Sequence, residues 1–133
     1  MRTLVKSSGV AVLGAALAMA SAVLATPASA SDVGITAYTP EGLCGSGYTR
    51  AGSHALPGAT VWLMRASSNR KCVVTIKTAS VGTETWTGAA VGSAVDRGYY
   101  RYYAGPVKQQ VRCAYWGGSH GSTTWVSPTQ YCN

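Results

Sequence analysis

The segment with the most evident chemical potential is Gly117-Gly118-Ser119-His120-Gly121, which matches the nucleophile-elbow pattern G-x-S-x-G letter for letter. In enzymes with this motif the serine hydroxyl attacks an acyl carbon, a histidine accepts its proton, and an acid orients the histidine. The elbow requires a strand that leads into a helix of an α/β sheet, but no helical pattern follows Ser119. The segment is more typical of a flexible β-turn loop, and we predict no catalytic serine.

Histidines and carboxylates are the other candidates for acid–base chemistry. Histidine is the usual general base near neutral pH, which makes His54 and His120 candidates. Both lie among small polar residues, where a solvated surface histidine is the ordinary finding. The spacing of Glu84 and Asp96 is compatible with the acid and base of a glycosidase, although no motif supports such a pair. We predict that the protein is not an enzyme and needs no cofactor.

The four cysteines are Cys44, Cys72, Cys113 and Cys132. Their spacing matches no paired Cys-x-x-Cys pattern, and neither histidine is near enough in sequence to complete a zinc site, so we predict no metal centre. An even number of cysteines in an exported domain indicates two disulfides. Of the three possible connectivities we favour Cys44 with Cys72 and Cys113 with Cys132, because that pairing closes the shortest loops.

Residues 1–30 have the pattern of a secretory signal peptide: a short basic start, an apolar stretch from Val10 to Leu24, and the small-residue cleavage site Ala28-Ser29-Ala30. We expect this segment to be removed and residues 31–133 to form one exported, extracellular domain. The apolar stretch has no stop-transfer flank, and no cysteine follows the cleavage site to accept a lipid. A membrane anchor is therefore not expected.

The charge balance limits the partners. The sequence carries a formal net charge of +7, and its basic residues are scattered, with only Arg70 and Lys71 adjacent. A nucleic-acid binder would show a clustered basic footprint, so we predict no nucleic-acid partner. The surplus suits polyanionic surfaces such as spore or cell-wall polymers, although solubility alone is the simpler explanation of it. The oligomeric state stays open.

The chain is punctuated by glycine and proline, and valine, threonine, tyrosine and tryptophan dominate the runs between these breaks. This pattern predicts an all-β fold, a single small antiparallel β-sandwich or barrel stapled by two disulfides. Residues 31–56 contain no convincing strand, and we predict a mostly irregular lead-in pinned by Cys44. The predicted strands are Ala59–Arg65, Lys71–Ala79, Thr83–Ala89, Gly98–Ala104, Val107–Tyr115 and Thr123–Val126.

Alternation within a strand predicts which side chains face the core. In the strand from Lys71 to Thr78, the even positions Cys72, Val74 and Ile76 are predicted to face inward. The odd positions Lys71, Thr75 and Lys77 are then predicted to face water.

The segment "GYYRYYAGP", residues 98–106, concentrates four tyrosines around one arginine. Arginine is rarely buried without a partner, so its face should be the outer one, which leaves Tyr100 and Tyr102 as the predicted core pair. Gly105-Pro106 reads as the turn of a hairpin. The candidate binding surface consists of exposed aromatic residues and the arginine: Tyr99, Arg101, Tyr103, Trp116 and Trp125. Such rings suit stacking on sugars or docking on another protein, but twelve aromatic rings against few leucines also imply that some fill the core.

Several stretches together resemble one known family: "YTPEGLCGSGY" (38–48), "KCVVTIKT" (71–78), "YYAGPVK" (102–108), "YWGG" (115–118) and the terminal "SPTQYCN". The chain resembles the spore-associated protein A family of exported actinomycete proteins. This resemblance implies a small secreted protein found with spores or the aerial-growth surface, with no assigned enzymatic activity and no established binding residues.

The leading hypothesis is therefore a secreted, non-enzymatic protein associated with the spore or cell surface, which adheres through an aromatic and basic outer strand. The alternatives are a secreted effector, such as a protease inhibitor or an antimicrobial protein, and a glycan-binding module.

Overall fold

The computed structural model describes residues 38–132, so the predicted signal peptide over 1–30 lies outside the described residues. The described part contains one short helix, α1 (Pro40–Cys44), followed by ten strands. The strands are β1 (Thr49–Leu56), β2 (Ala59–Ala66), β3 (Arg70–Lys77), β4 (Thr85–Val91), β5 (Ala94–Tyr100), β6 (Tyr103–Gln110), β7 (Cys113–Ala114), β8 (Trp116–His120), β9 (Thr123–Val126) and β10 (Tyr131–Cys132).

Eight of these strands form two antiparallel sheets. The first sheet has the order β1-β2-β3-β6 and the second has the order β5-β4-β8-β9, while β7 and β10 pair separately. The apolar core lies between the two sheets and combines side chains of both, among them Val61 and Val73 of the first sheet and Ala89 and Val91 of the second. The predicted all-β sandwich is confirmed; across 38–132 the sheets do not close into a barrel.

The prediction of a mostly irregular lead-in over 31–56 is wrong for the described part of that range, which contains α1 and β1. Thr39 caps α1 by accepting the N–H of Gly42, Pro40 occupies the first turn, and the helix ends at Gly45, whose φ is +100°. Residues Thr49–Leu56 then form an edge strand along β2. Glycine, serine and alanine dominate this strand, so its sequence carries no β-propensity signal; the ladder to β2 holds it in place.

The prediction that Lys71, Thr75 and Lys77 face water is also wrong. These side chains are 0%, 0% and 3% exposed, because they lie on the face of β3 that is turned towards the second sheet: Val73 on the same face belongs to the central core, and Thr75 Oγ1 donates to a backbone carbonyl of β4. The even positions of β3 face the opposite way, where a second apolar cluster that includes α1 covers them. Since β3 is buried on both faces, alternation in its sequence could not reveal which face lies towards the other sheet.

Hydrogen bonds to backbone carbonyl groups compensate for the loss of water around the two buried lysine ammonium groups. Lys71 Nζ donates hydrogen bonds to the carbonyl oxygens of Val111 (2.5 Å) and Arg112 (2.8 Å). Lys77 Nζ donates to those of Thr83 and, at 3.2 Å, Tyr100. Burial of both ammonium groups lowers the pKa of Lys71 and of Lys77.

The tyrosine-rich segment is not one strand. β5 ends at Tyr100, the chain bends at Arg101–Tyr102, and β6 begins at Tyr103 in the other sheet. The predicted hairpin turn at Gly105-Pro106 is wrong, since both residues lie within β6 at an irregularity in its pairing with β3. Proline has no N–H to donate to the ladder, and such an interruption accommodates it.

This break changes the roles of the tyrosines. Tyr100 packs against the central core as predicted, but Tyr102 is 37% exposed and is not its core partner. Tyr103 packs instead against the second cluster, with its ring 4.9 Å from that of Tyr38.

The predicted loop at Gly117-Gly118 is the strand β8. A side chain at either glycine would collide with atoms of a neighbouring strand or of the opposite sheet. An ideal Cβ on Gly118 would lie against Thr75 Oγ1 and 2.7 Å from Val61 Cγ2, and one on Gly117 would meet the carbonyl oxygen of Trp125. Sequence reasoning took these residues as turn formers, whereas they let neighbouring strands and the opposite sheet come close.

Two disulfides join Cys44 to Cys72 and Cys113 to Cys132, the pairing that loop lengths favour. The first fastens α1 to β3, and the second joins β7 to β10. No helix within residues 38–132 has the length and apolar character needed to cross a membrane.

Candidate functional site

The outer face of the second sheet carries only small side chains at its centre. In the central strands, Ala89 and Val91 of β4 belong to the core, so the alternate residues Gly88 and Ala90 face away from it. Gly88 pairs with Ser119 of β8, and Ala90 pairs with Gly117. Four small residues thus form a floor on the side of the sheet that no other sheet of residues 38–132 covers.

Larger side chains surround this floor and enclose a cleft of about 240 Å³, which we call the outer trough. The edge strands β5 and β9 supply two walls, and aromatic residues stand at the ends. The residues that line its rim are Trp86, Val95, Arg97, Tyr115, Thr124 and Val126.

The rim is markedly apolar for an exposed surface. Trp86, Val95, Tyr115 and Val126 are among the exposed large apolar residues of the described chain, with Val126 60% exposed. Tyr99 adjoins this rim, because its ring meets the Trp86 ring edge to face at 5.3 Å. A concentration of exposed apolar side chains around one cleft is typical of a surface that binds a partner.

Two polar side chains reach the floor. The Ser119 hydroxyl is buried, the residue being 4% exposed, and it has no hydrogen-bond partner among the described residues. Arg97 Cγ and Ser119 Oγ both lie 2.6 Å from the position that a Cβ on Gly88 would occupy. The stem of Arg97 therefore lies across the floor beside the serine, above a glycine that leaves room for it.

The charged end of Arg97 has no carboxylate partner within 38–132. Each described carboxylate is otherwise engaged. Glu41 pairs with Arg50 at 2.5 Å, and Glu84 lies 3.8 Å from Arg101. Asp96 accepts hydrogen bonds from the Tyr100 hydroxyl at 2.5 Å and the Gly105 N–H at 2.8 Å.

The structure separates the residues of the G-x-S-x-G match. Ser119 faces the outer trough, while His120, the next residue of the same strand, points to the opposite side of the sheet. Both ring nitrogens of His120 have partners: Nε2 lies 3.1 Å from Thr85 Oγ1, and Nδ1 lies 2.8 Å from the carbonyl oxygen of Pro57. The other histidine, His54, stacks on the Trp125 ring at 3.9 Å.

The five residues of the sequence-predicted binding surface do not form one patch. Tyr99 is 68% exposed beside the outer trough, and Arg101 is exposed at the bend after β5, whereas Tyr103 packs against the second cluster. Trp116 and Trp125 do come together, with rings 4.9 Å apart and edge to face; both pack against the central core, and both also contribute to the lining of the outer trough.

Sequence reasoning missed the outer trough, although a signal exists. Small residues alternate with core residues in "TWTGAAV" of β4, and they recur in "WGGSH" of β8. Only the pairing of these two strands brings Gly88, Ala90, Gly117 and Ser119 together. Within the described range, no group of three or more histidine, cysteine or acidic side chains is arranged to hold a metal ion.

The chain is similar to Spore-associated protein A of Streptomyces coelicolor, with 37% identity over 110 residues that cover 75% of this chain and 70% of that protein. The chain belongs to the spore-associated protein A family. This membership confirms the resemblance carried by the "YYAGPVK" and "YWGG" stretches. No family model matches the chain. No solved structure matches it either.

Proposed function

We propose that this protein is an exported, non-enzymatic protein that adheres to the spore or cell-wall surface, and that the outer trough is its adhesive face. The name of its relative, Spore-associated protein A, supports the location. The signal-peptide pattern of residues 1–30 and the two disulfides support export, because disulfides persist in oxidising compartments.

The observation that carries the proposal is the exposure of apolar side chains around a floor of small residues. Trp86, Tyr99 and Tyr115 present rings to the solvent on the second sheet, whereas Tyr103, which the sequence favoured, is packed away. Rigid rings on strands lose little conformational entropy when a partner binds, so they suit adhesion. The proposed adhesive surface is thus the outer face of the sheet β5-β4-β8-β9. Of the segment 99–103 that the sequence favoured, Tyr99 is the residue that adjoins this surface.

The non-enzymatic part of the proposal is supported by the position of Ser119. A nucleophilic serine needs a base within hydrogen-bond reach, and no described side chain is bonded to its hydroxyl. Any hydrolysis of nitrophenyl esters by the purified protein should therefore be the same for the wild type and for Ser119→Ala. Hydrolysis that disappears in this variant would contradict the non-enzymatic role.

The test of adhesion is co-sedimentation of the purified protein, lacking residues 1–30, with insoluble spore-coat and cell-wall fractions. Trp86→Ala/Tyr99→Ala should bind at least about tenfold more weakly than the wild type, since two exposed rings are removed. Tyr102→Ala is the matched control, because this ring is also exposed but lies outside the outer trough. Equal thermal stability of the variants would show that the fold is kept.

The adhesion proposal would be overturned by a wild-type protein that stays in the supernatant with both fractions. It would also be overturned if the double variant and Tyr102→Ala sedimented as the wild type does.

A further inference from the structure

We propose that the outer trough binds an acidic glycan, with pyranose rings lying against its aromatic rim and a sugar carboxylate on Arg97. The inference rests on the proposed function, because it names the ligand class of the same face. Three features of the trough carry it.

The first feature is the flat floor between upright rings. Gly88 and Ala90 carry at most a methyl group, so the floor is low, and the flexible Arg97 stem that lies over Gly88 is the part that a bound ring would displace. Trp86 and Tyr115 stand at the rim with 39% and 49% of their surface exposed. A pyranose has apolar C–H faces that pack on such rings, and its hydroxyls point outward to polar groups.

The second feature is the free guanidinium. Arg97 has no carboxylate partner within 38–132, since Glu41, Glu84 and Asp96 are all engaged. A guanidinium binds a carboxylate through two parallel hydrogen bonds, which fix the orientation of the anion as well as attract it. A neutral glycan would leave this group unused.

The same charge count argues against a second copy of this chain as the occupant. A neighbouring molecule would have to offer a carboxylate to Arg97, and each described one is already paired or hydrogen-bonded, Glu84 only through its long, exposed contact with Arg101. The described chain is therefore rich in cations and poor in available anions, and the net charge of +7 of the full sequence also favours a polyanionic partner.

The third feature is the buried hydroxyl of Ser119. A buried polar group without a partner costs free energy, and a hydroxyl both donates and accepts. The Arg97 stem shares the space above Gly88 with this hydroxyl. A ligand carboxylate that draws the guanidinium aside would uncover Ser119 and give it a sugar hydroxyl as a partner.

The probes are polygalacturonate and the same polymer after reduction of its carboxyl groups, with inorganic polyphosphate as a polyanion that lacks rings. Binding to the purified protein is measured by isothermal titration at two salt concentrations. The wild type should bind polygalacturonate at least about tenfold more tightly than either control polymer, because only polygalacturonate supplies both charge and rings.

Arg97→Gln should lose about tenfold in affinity for polygalacturonate and should no longer discriminate against the reduced polymer. Ser119→Ala should bind about threefold to tenfold more weakly, as expected for one hydrogen bond to a ligand. Arg65→Gln is the matched control, because Arg65 is exposed and lies outside the trough. Its affinity should equal that of the wild type at the higher salt concentration.

Three results would overturn the acidic-glycan site: equal affinity for the reduced polymer, equal affinity for polyphosphate, or equal losses in Arg65→Gln and Arg97→Gln. None of these three results would overturn the proposed function. If wall fractions bind the wild type but not Trp86→Ala/Tyr99→Ala, the outer trough is still the adhesive face, and its ligand belongs to another class. Conversely, Arg97-dependent binding of polygalacturonate without adhesion to wall or spore fractions would uphold the glycan site and overturn the proposed function.

Discussion

The Tyr100 hydroxyl donates a hydrogen bond to Asp96 Oδ1 over 2.5 Å. The other oxygen of the same carboxylate accepts the N–H of Gly105 at 2.8 Å. Since Asp96 and Tyr100 belong to the second sheet and Gly105 to the first, this carboxylate fastens the point at which the chain passes between the sheets.

Asp96→Ala should lower the free energy of unfolding by about 1 to 3 kcal/mol, because two donors lose their acceptor in a partly buried site. Tyr100→Phe, which removes one of the two bonds, should cost about 1 kcal/mol. Urea denaturation measures both. Glu84→Ala is the control: its ion pair with Arg101 is long and exposed, and its loss should cost less than about 0.5 kcal/mol.

Alkaline titration gives a separate prediction for Tyr100. The hydrogen bond to Asp96, together with some burial and the negative charge of that carboxylate, raises the pKa of Tyr100 above its ordinary value near 10. The folded state then holds the phenol proton more tightly than the unfolded state. The stability that this provides is present below pH 10 and is lost as the pH rises through the folded pKa. The stability advantage of the wild type over Tyr100→Phe should therefore shrink above about pH 10, and an advantage that grows there would contradict it.

The two buried lysines should have the opposite effect on the pH dependence of stability. Burial lowers the pKa of Lys71 and of Lys77 below the ordinary value of 10.5. The unfolded state then binds more protons than the folded state at alkaline pH, so stability rises as the pH approaches 10.5 from below. Lys77→Met carries no such proton. Between about pH 8 and 10, the difference in unfolding free energy between wild type and Lys77→Met should move in favour of the wild type, as measured by urea denaturation at each pH. A constant difference would show that Lys77 is hydrated in the folded state.

Parts of the fold that depend on local pattern could be predicted from the sequence. β2, β3 and β9 were placed to within two residues, because their runs of valine, threonine and aromatic residues end at clear turn residues. The cysteine pairing followed from loop lengths. β1 was missed because an edge strand rich in glycine and alanine is held by its neighbour and has little propensity of its own.

The parts that depend on what covers a strand could not be predicted. Lys71 has the pattern of a solvated residue, and its burial is made tolerable by partners distant in sequence, among them the carbonyl groups of Val111 and Arg112, about forty positions away. The role of Gly118 is hidden in the sequence for a related reason. Glycine in β8 has the same local signature as a turn, and its role depends on Val61 and Thr75 of the opposite sheet.

Gly118 provides a test of that role. Gly118→Ala should lower the free energy of unfolding by about 1 to 3 kcal/mol, because the added methyl group would press against Thr75, against Val61 Cγ2 at 2.7 Å and against the carbonyl oxygen of Gly88 at 2.8 Å. Thermal or urea denaturation measures the loss. In the control Gly98→Ala the three atoms nearest to the new group all belong to the Tyr100 side chain, the closest at 3.2 Å, and the change should stay below about 1 kcal/mol. Similar losses at the two positions would mean that the close approach of the sheets at Gly118 is not what requires the glycine.

The two disulfides differ in accessibility, which predicts the order of their reduction. Cys44 and Cys72 are 1% and 0% exposed beneath α1, whereas Cys132 is exposed at the β7–β10 pair. A thiolate must reach a sulfur atom to open the bond, so a mild thiol reductant in native buffer should open Cys113–Cys132 first. Alkylation followed by mass spectrometry should find the label on Cys113 and Cys132 before it appears on the other pair.

The control is the same reduction in concentrated guanidinium, where the chain is unfolded and both bonds are open to the reagent. The two pairs should then be labelled at similar rates, because only the folded state distinguishes their access. An order that persists in denaturant would assign the difference to the local sequence around each cysteine. Labelling of Cys44 and Cys72 first in native buffer would contradict the prediction, since it would require α1 to leave β3 more readily than β10 leaves β7.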